Sequence, residues 1–182
     1  QLAASNFDSD YRTFNNLGSV LFTQNRMSDA KTNFEKANSI KDNASSKNNL
    51  AGVALLNGNK AQAIKLMGQT KSIAADSAVS YNNGILNIIA GDYSKAESNI
   101  KENCYNKALT LTLQKKLPEA SKVLSAITTT SESLYLKAII SARNGESVDA
   151  VVANLKQAFA KDSNLKTKAS KDREFIKFMN DA

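Results

Sequence analysis

The sequence predicts an all-α protein, a solenoid of stacked helical hairpins closed by a short C-terminal segment. Three observations carry this. Ala30, Ala63 and Ala96 stand at two equal intervals of 33 residues, and Asn16, Asn49 and Asn82 keep the same beat. Self-similarity at that period marks repeated hairpins, none of which buries its apolar face alone. Breakers are scarce, with one proline and seven glycines in 182 residues, so helix runs almost throughout.

The first hairpin sets the pattern. Phe14, Leu17, Gly18 and Leu21 fall at i, i+3, i+4 and i+7, one stripe of an amphipathic helix. Asn25-Arg26-Met27-Ser28 interrupts it, with Ser28 or Asn25 available to cap the second helix. Ala30, Phe34 and Ala37 continue the stripe on that helix. Small residues at Gly18, Ala30 and Ala37 let the two helices approach while Phe14 and Phe34 fill the space between. In the second hairpin Leu50, Ala51 and Ala63 keep these positions, with Met67 and Thr70 after them. The third keeps Gly84 and Ala96 around a turn at Ala90-Gly91-Asp92-Tyr93. Ala120 then arrives 24 residues after Ala96, so either the second helix of the third unit is cut short or the stack kinks there. The fourth unit carries Ala108, Ala120, Leu124 and Ile127, with Pro118 placed to start a helix. The fifth, from about Ser131, carries Ala138, Asn144-Gly145, Leu155 and Ala158, with one extra residue in its turn.

These positions resemble the tetratricopeptide repeat. That family pairs an aromatic, Leu-Gly and an aromatic in helix A with Ala, an aromatic and Ala in helix B. Phe14, Leu17-Gly18, Ala30, Phe34 and Ala37 match, with Leu21 for the second aromatic, while Met67 and Thr70 stand for Phe and Ala. The proline that closes each repeat is replaced by Asp42 and Ser163. The resemblance spans roughly Ser9 to Ser163 and implies a right-handed superhelical solenoid of about five hairpins. The domain reading is a repeat array over 1–163, its third repeat shortened, and a capping helix over 164–182. In the tail Leu165, Phe175, Ile176, Phe178 and Met179 punctuate charged sequence, as a cap over the open end requires. The alternative for this tail is a basic amphipathic helix on a membrane, with a short apolar face.

Composition removes several functions. The chain has no histidine and one cysteine, Cys104, so the commonest general base and the usual metal and thiol–imidazole sites lack material. Its serines and threonines have no activating histidine, its carboxylates imply no cleft, and Gln114-Lys115-Lys116 lacks the glycines of a phosphate loop. The sequence predicts no enzyme, no cofactor and no small-molecule substrate. No apolar run is long enough to span a membrane. Net charge is +7, with the excess concentrated in Lys161, Lys166, Lys168, Lys171, Arg173 and Lys177. Nucleic-acid binding through this tail is disfavoured, since no basic–aromatic interleaving of a known module is present.

The candidate binding residues are two columns. Asn16, Asn49, Asn82 and Asn106 each fall two residues before the small Gly or Ala of helix A, and Asn15, Asn48, Tyr81, Tyr105 and Tyr135 each precede that position by three. The resemblance puts this face in a concave groove, where family asparagines bond the backbone of an extended peptide. A primary amide suits the task, offering two donors and an acceptor, and tyrosine adds flat amphipathic area. Bonding within the scaffold and packing in the core are the competing uses of the same residues. Carboxylate capture, a known use of the family, needs cations where Asn15, Ala78 and Asn82 stand, so it is not expected. The expected function is protein–protein interaction, with a partner segment held in the groove. The alternative is an assembly module docking a neighbouring domain through its convex face or end cap. The Asn-, Ser- and Lys-rich texture is similar to repeat modules of bacterial envelope proteins, which implies a periplasmic or cell-envelope location, with the cytoplasm as alternative. Gln1 stands where an initial methionine is absent and is expected to be a processed or otherwise cut end.

Overall fold

In a computed structural model, residues 10–70 and 77–179 are described, and all regular structure among them is helical. The chain forms two compact units, 1–92 and 93–182. The first holds α1 (Tyr11–Thr23), α2 (Met27–Ile40), α3 (Ala44–Leu56), α4 (Lys60–Gly68) and α5 (Ser77–Ala90). The second holds α6 (Tyr93–Asn99), α7 (Tyr105–Leu113), α8 (Leu117–Ser125), α9 (Ser131–Arg143), α10 (Val148–Lys161) and α11 (Asn164–Ala169), then a 3-10 turn at Ile176–Phe178. The tightest pairs are α1 with α2, α3 with α4, α7 with α8 and α9 with α10, each a hairpin of sequence neighbours.

Five helices end by one device. Asn25, Gly58, Gly91, Lys115 and Gly145 all adopt a left-handed backbone, with φ between 60° and 81°. The next residue's N–H then bonds back five residues, as Arg26 does to the Leu21 carbonyl (2.9 Å) and Lys116 to that of Leu111 (2.9 Å). This is the Schellman closure, which satisfies carbonyls that a helix end leaves orphaned. Asn25 is therefore taken up by the turn. The α2 N-cap position is Arg26, without a side-chain cap bond, which corrects the expectation of a cap from Asn25 or Ser28. Pro118 does stand in the first turn of α8, and the extra residue of the last hairpin lies in its turn, 144–147. The α6 helix has seven residues against fourteen in α2.

The alanine columns form the seams. Ala30, Ala63, Ala96, Ala108, Ala120, Ala138 and Ala158 are all fully buried. Where Ala would crowd, glycine is used: a Cβ on Gly18 would lie 2.6 Å from two ring carbons of Phe34. The second hairpin relaxes this contact by pairing Ala51 with the slimmer Met67, both buried. Thr70 fits in an alanine position because its hydroxyl donates to the Met67 carbonyl (2.7 Å), hiding its polarity.

The tail departs from one continuous capping helix. After α11, Asp172 accepts from the Glu174 backbone N–H (3.1 Å) and its carbonyl accepts from Phe175 N–H (2.9 Å), breaking the helix into a tight turn. The turn drives Phe175 and Phe178 into the core shared with Leu134, Val151, Leu155 and Leu165. Burying a side chain of this size contributes about 2–3 kcal/mol.

Candidate functional site

In the first unit, α1 and α3 open its two hairpins and α5 lies on the far side of α3 from α1 in sequence order, in contact with it. Their facing surfaces carry asparagine because the 33-residue beat returns the same position to the same face. Four side-chain amides link there into one row. Asn82 Nδ2 donates to Asn48 Oδ1 (3.0 Å), Asn48 Nδ2 to Asn49 Oδ1 (3.4 Å) and Asn49 Nδ2 to Asn15 Oδ1 (3.0 Å). Asn15 Nδ2 ends the row on the Ser45 hydroxyl (3.3 Å), and the buried Ser46 hydroxyl also donates to Asn15 Oδ1 (3.2 Å).

Every link runs in one direction, so the row is a head-to-tail relay. Asn15 Oδ1 has both lone pairs engaged, whereas each amide keeps a second N–H beyond these bonds. The row thus presents one spare N–H per amide, with its terminal carbonyl at Asn82. Its residues are half-buried rather than sealed.

Beside the row is a cleft of about 330 Å³, lined by Ser19, Phe22, Asn48, Asn49, Gly52 and Asn82 among others. A smaller hollow of about 140 Å³ shares Asn48, Gly52 and Asn82 and continues to Leu55 and Ile85. Gly52 sits between polar row and apolar wall, and an added Cβ there meets nothing within 4 Å. The arrangement offers N–H donors along one side and aliphatic surface along the other.

The remaining candidates fall elsewhere. Asn16 is exposed on α1 and makes no side-chain hydrogen bond among the described residues; its neighbour Asn15 takes the place in the row. Tyr81 is 38% exposed on α5, in the first unit. Tyr105 and Asn106 are half-buried at the start of α7 in the second unit, and burial pushes the Tyr105 phenol up. Tyr135 is 4% exposed, with its ring edge-on to Phe175 (5.1 Å) and its hydroxyl donating to Asp172 Oδ2 (2.9 Å). Burial first, then the Asp172 carboxylate, raises its pKa far above the usual phenol range. It is a core residue holding the cap, because α9 turns that position toward the C-terminal turn. Ser46 and Gly52 are site residues that the repeat columns do not single out; the signal for Ser46 is its place three residues before Asn49, on the same helix face.

Among the described residues no group of three or more His, Cys, Asp or Glu side chains could hold a metal, and no helix is long and apolar enough to cross a membrane.

No protein-family model matches the chain, and no curated protein matches it. Solved structures do. YrrB, a TPR protein with an unusual peptide-binding site, is similar with a TM-score of 0.71 and 15% identity, over 88% of this chain and 91% of that one. PilF of Pseudomonas aeruginosa is similar with a TM-score of 0.65 and 16% identity, over 96% of this chain and 83% of that one. The chain has a tetratricopeptide-like fold.

Proposed function

We propose that this chain, on its tetratricopeptide-like fold, is a non-catalytic protein–protein interaction module, and that its first unit holds an extended peptide against the asparagine row. The observation that carries the reading is the row itself. Four half-buried amides are fixed by one another, each with an N–H to spare, beside a cleft of about 330 Å³. Amides held in advance lose little rotamer freedom when a ligand arrives, so their bonds to it are not offset by ordering. Spare N–H groups bond the carbonyls of an extended chain whatever its side chains, and the wall of Phe22, Leu55 and Ile85 selects among those side chains. Tyr81 adds amphipathic area at the α5 end. The peptide-binding site of YrrB agrees with this reading at the level of fold alone.

A positional-scanning library of extended peptides, read by fluorescence anisotropy, tests it. Peptides with aliphatic residues at one register should bind the intact chain, and Asn48→Ala with Asn82→Ala should weaken them at least tenfold while the far-UV circular dichroism stays unchanged. Equal binding by a folded variant would remove the row from the mechanism.

A further inference from the structure

The C-terminal cap separates its charges by sign. Over residues 161–179 the acids are Asp162, Asp172 and Glu174, and all three are engaged within the protein. Asp162 accepts from the backbone N–H of Asn164 (3.0 Å), Asp172 from the Tyr135 hydroxyl (2.9 Å), and Glu174 from the guanidinium of Arg143 (2.6 Å). The cations are left out of these bonds. Lys161, Lys166, Lys168, Lys171, Arg173 and Lys177 are exposed, and none has an ion-pair partner among the described residues; Lys168 lies over the Tyr135 ring (4.9 Å). Lys177 reaches over the Phe178 ring (4.8 Å), which leaves its charge outside. The apolar residues divide in the same manner. Phe175 and Phe178 are 0% and 4% exposed, while Ile176 between them is 60% exposed.

We infer that this cap is a peripheral docking surface for an anionic lipid bilayer, with its exposed cations lying on the phosphate layer and Ile176 entering the acyl boundary. Charge complementarity supplies the attraction, since cations held near a negative membrane surface gain from its potential without needing paired geometry. Two features favour a bilayer over nucleic acid. The cap exposes no aromatic ring on which a base could stack, because both phenylalanines are used inward. Five of its six unpaired cations are lysines, point charges suited to a diffuse layer, and only Arg173 offers a bidentate fork. The exposed isoleucine among them suits a surface with a hydrocarbon interior. The inference is independent of the groove, which lies in the other unit.

Co-sedimentation of the full chain with vesicles tests it, using equal parts phosphatidylglycerol and phosphatidylcholine against phosphatidylcholine alone, with a DNA duplex and polyglutamate as competing polyanions. The chain should sediment with the anionic vesicles only, and salt should release it. Lys166→Gln, Lys171→Gln and Lys177→Gln should each weaken binding about fivefold. Ile176→Ser should weaken binding to vesicles and leave any binding to the polyanions unchanged. These side chains are exposed, so the variants keep the fold, as circular dichroism would verify. The inference is overturned by absence from the anionic pellet, by binding that the lysine variants do not alter, by an Ile176→Ser variant that sediments like the parent, or by tighter binding to DNA or polyglutamate.

Discussion

Replacing Gly18 by alanine is a sharp test of how the hairpins pack, because local and tertiary effects have opposite signs. In a helix interior the exchange gains about 1 kcal/mol of propensity. Against that, the new Cβ would lie 2.6 Å from both Cδ1 and Cε1 of Phe34. Carbon atoms prefer about 3.5–4.0 Å, so the ring must retreat by roughly 1 Å. Phe34 is 1% exposed and packs in one cluster with Leu21, Leu50 and Val53, which leaves it nowhere to go. Overpacking of this kind costs about 1–3 kcal/mol, and a ring hemmed on all sides belongs at the upper end. The net expectation is a loss of about 1–2 kcal/mol. Gly52→Ala is the control, since it is the same exchange in the interior of α3 with open space around the new methyl, and should gain about 0.5–1 kcal/mol. At about 4–8 °C per kcal/mol for a unit of this size, the two variants should melt on opposite sides of the parent in thermal circular dichroism. Hydrogen exchange over α1 and α2 would localise the effect. Pairing Gly18→Ala with Phe34→Met copies the Ala51–Met67 combination of the second hairpin and should recover part of the loss. If Gly18→Ala raised the melting temperature as much as Gly52→Ala, the close-approach argument would fail.

Lys115 carries a left-handed backbone penalty that Gly58 and Gly91 avoid at the same turn position. Lys115→Gly should therefore stabilise the second unit by about 1 kcal/mol, read from urea midpoints at unchanged slope. Tyr135→Phe removes the bond to the Asp172 carboxylate and should cost about 1–3 kcal/mol, with exchange protection lost first in residues 164–179. The Lys116 ammonium, then the Gln114 amide, holds the Glu97 carboxyl below its ordinary value of 4.5. A depressed folded pKa means stability fully present above that ordinary value and lost as pH falls through the lowered one. Acid titration of the second unit should show that loss, and Glu97→Gln should flatten it.

Much of the architecture is readable in the sequence, for a physical reason. The alanine seams and the hairpin pairing depend on residue size and apolarity at fixed spacing, and those are local properties of a helix. Gly18 against Phe34 and Met67 against Ala51 follow from volume alone. The amide row is legible only in outline. Asn15 and Asn16 differ by one helical step of about 100°, as do Asn48 and Asn49, and choosing between them requires the rotation of each helix about its axis. That rotation is set by packing across hairpins, which no single repeat encodes. The row takes Asn15 from the first hairpin, both asparagines from the second and Asn82 from the third, a zigzag that a strict 33-residue column cannot express. Tyr135 illustrates the same limit, because its partner Asp172 lies 37 residues on, in a turn with no counterpart among the repeats.

The left-handed turn residues also bear on how the molecule comes into being. Each closure joins a carbonyl to an N–H five residues later, and each hairpin then buries its seam against the helix that comes next. Loops this short cost little entropy to close, so native contacts reward the chain almost as soon as they form. Hairpins can nucleate in either unit without waiting for the other, and the chain should refold quickly through partly zipped arrays. Loosening one turn would accordingly open its own hairpin first and leave distant ones intact.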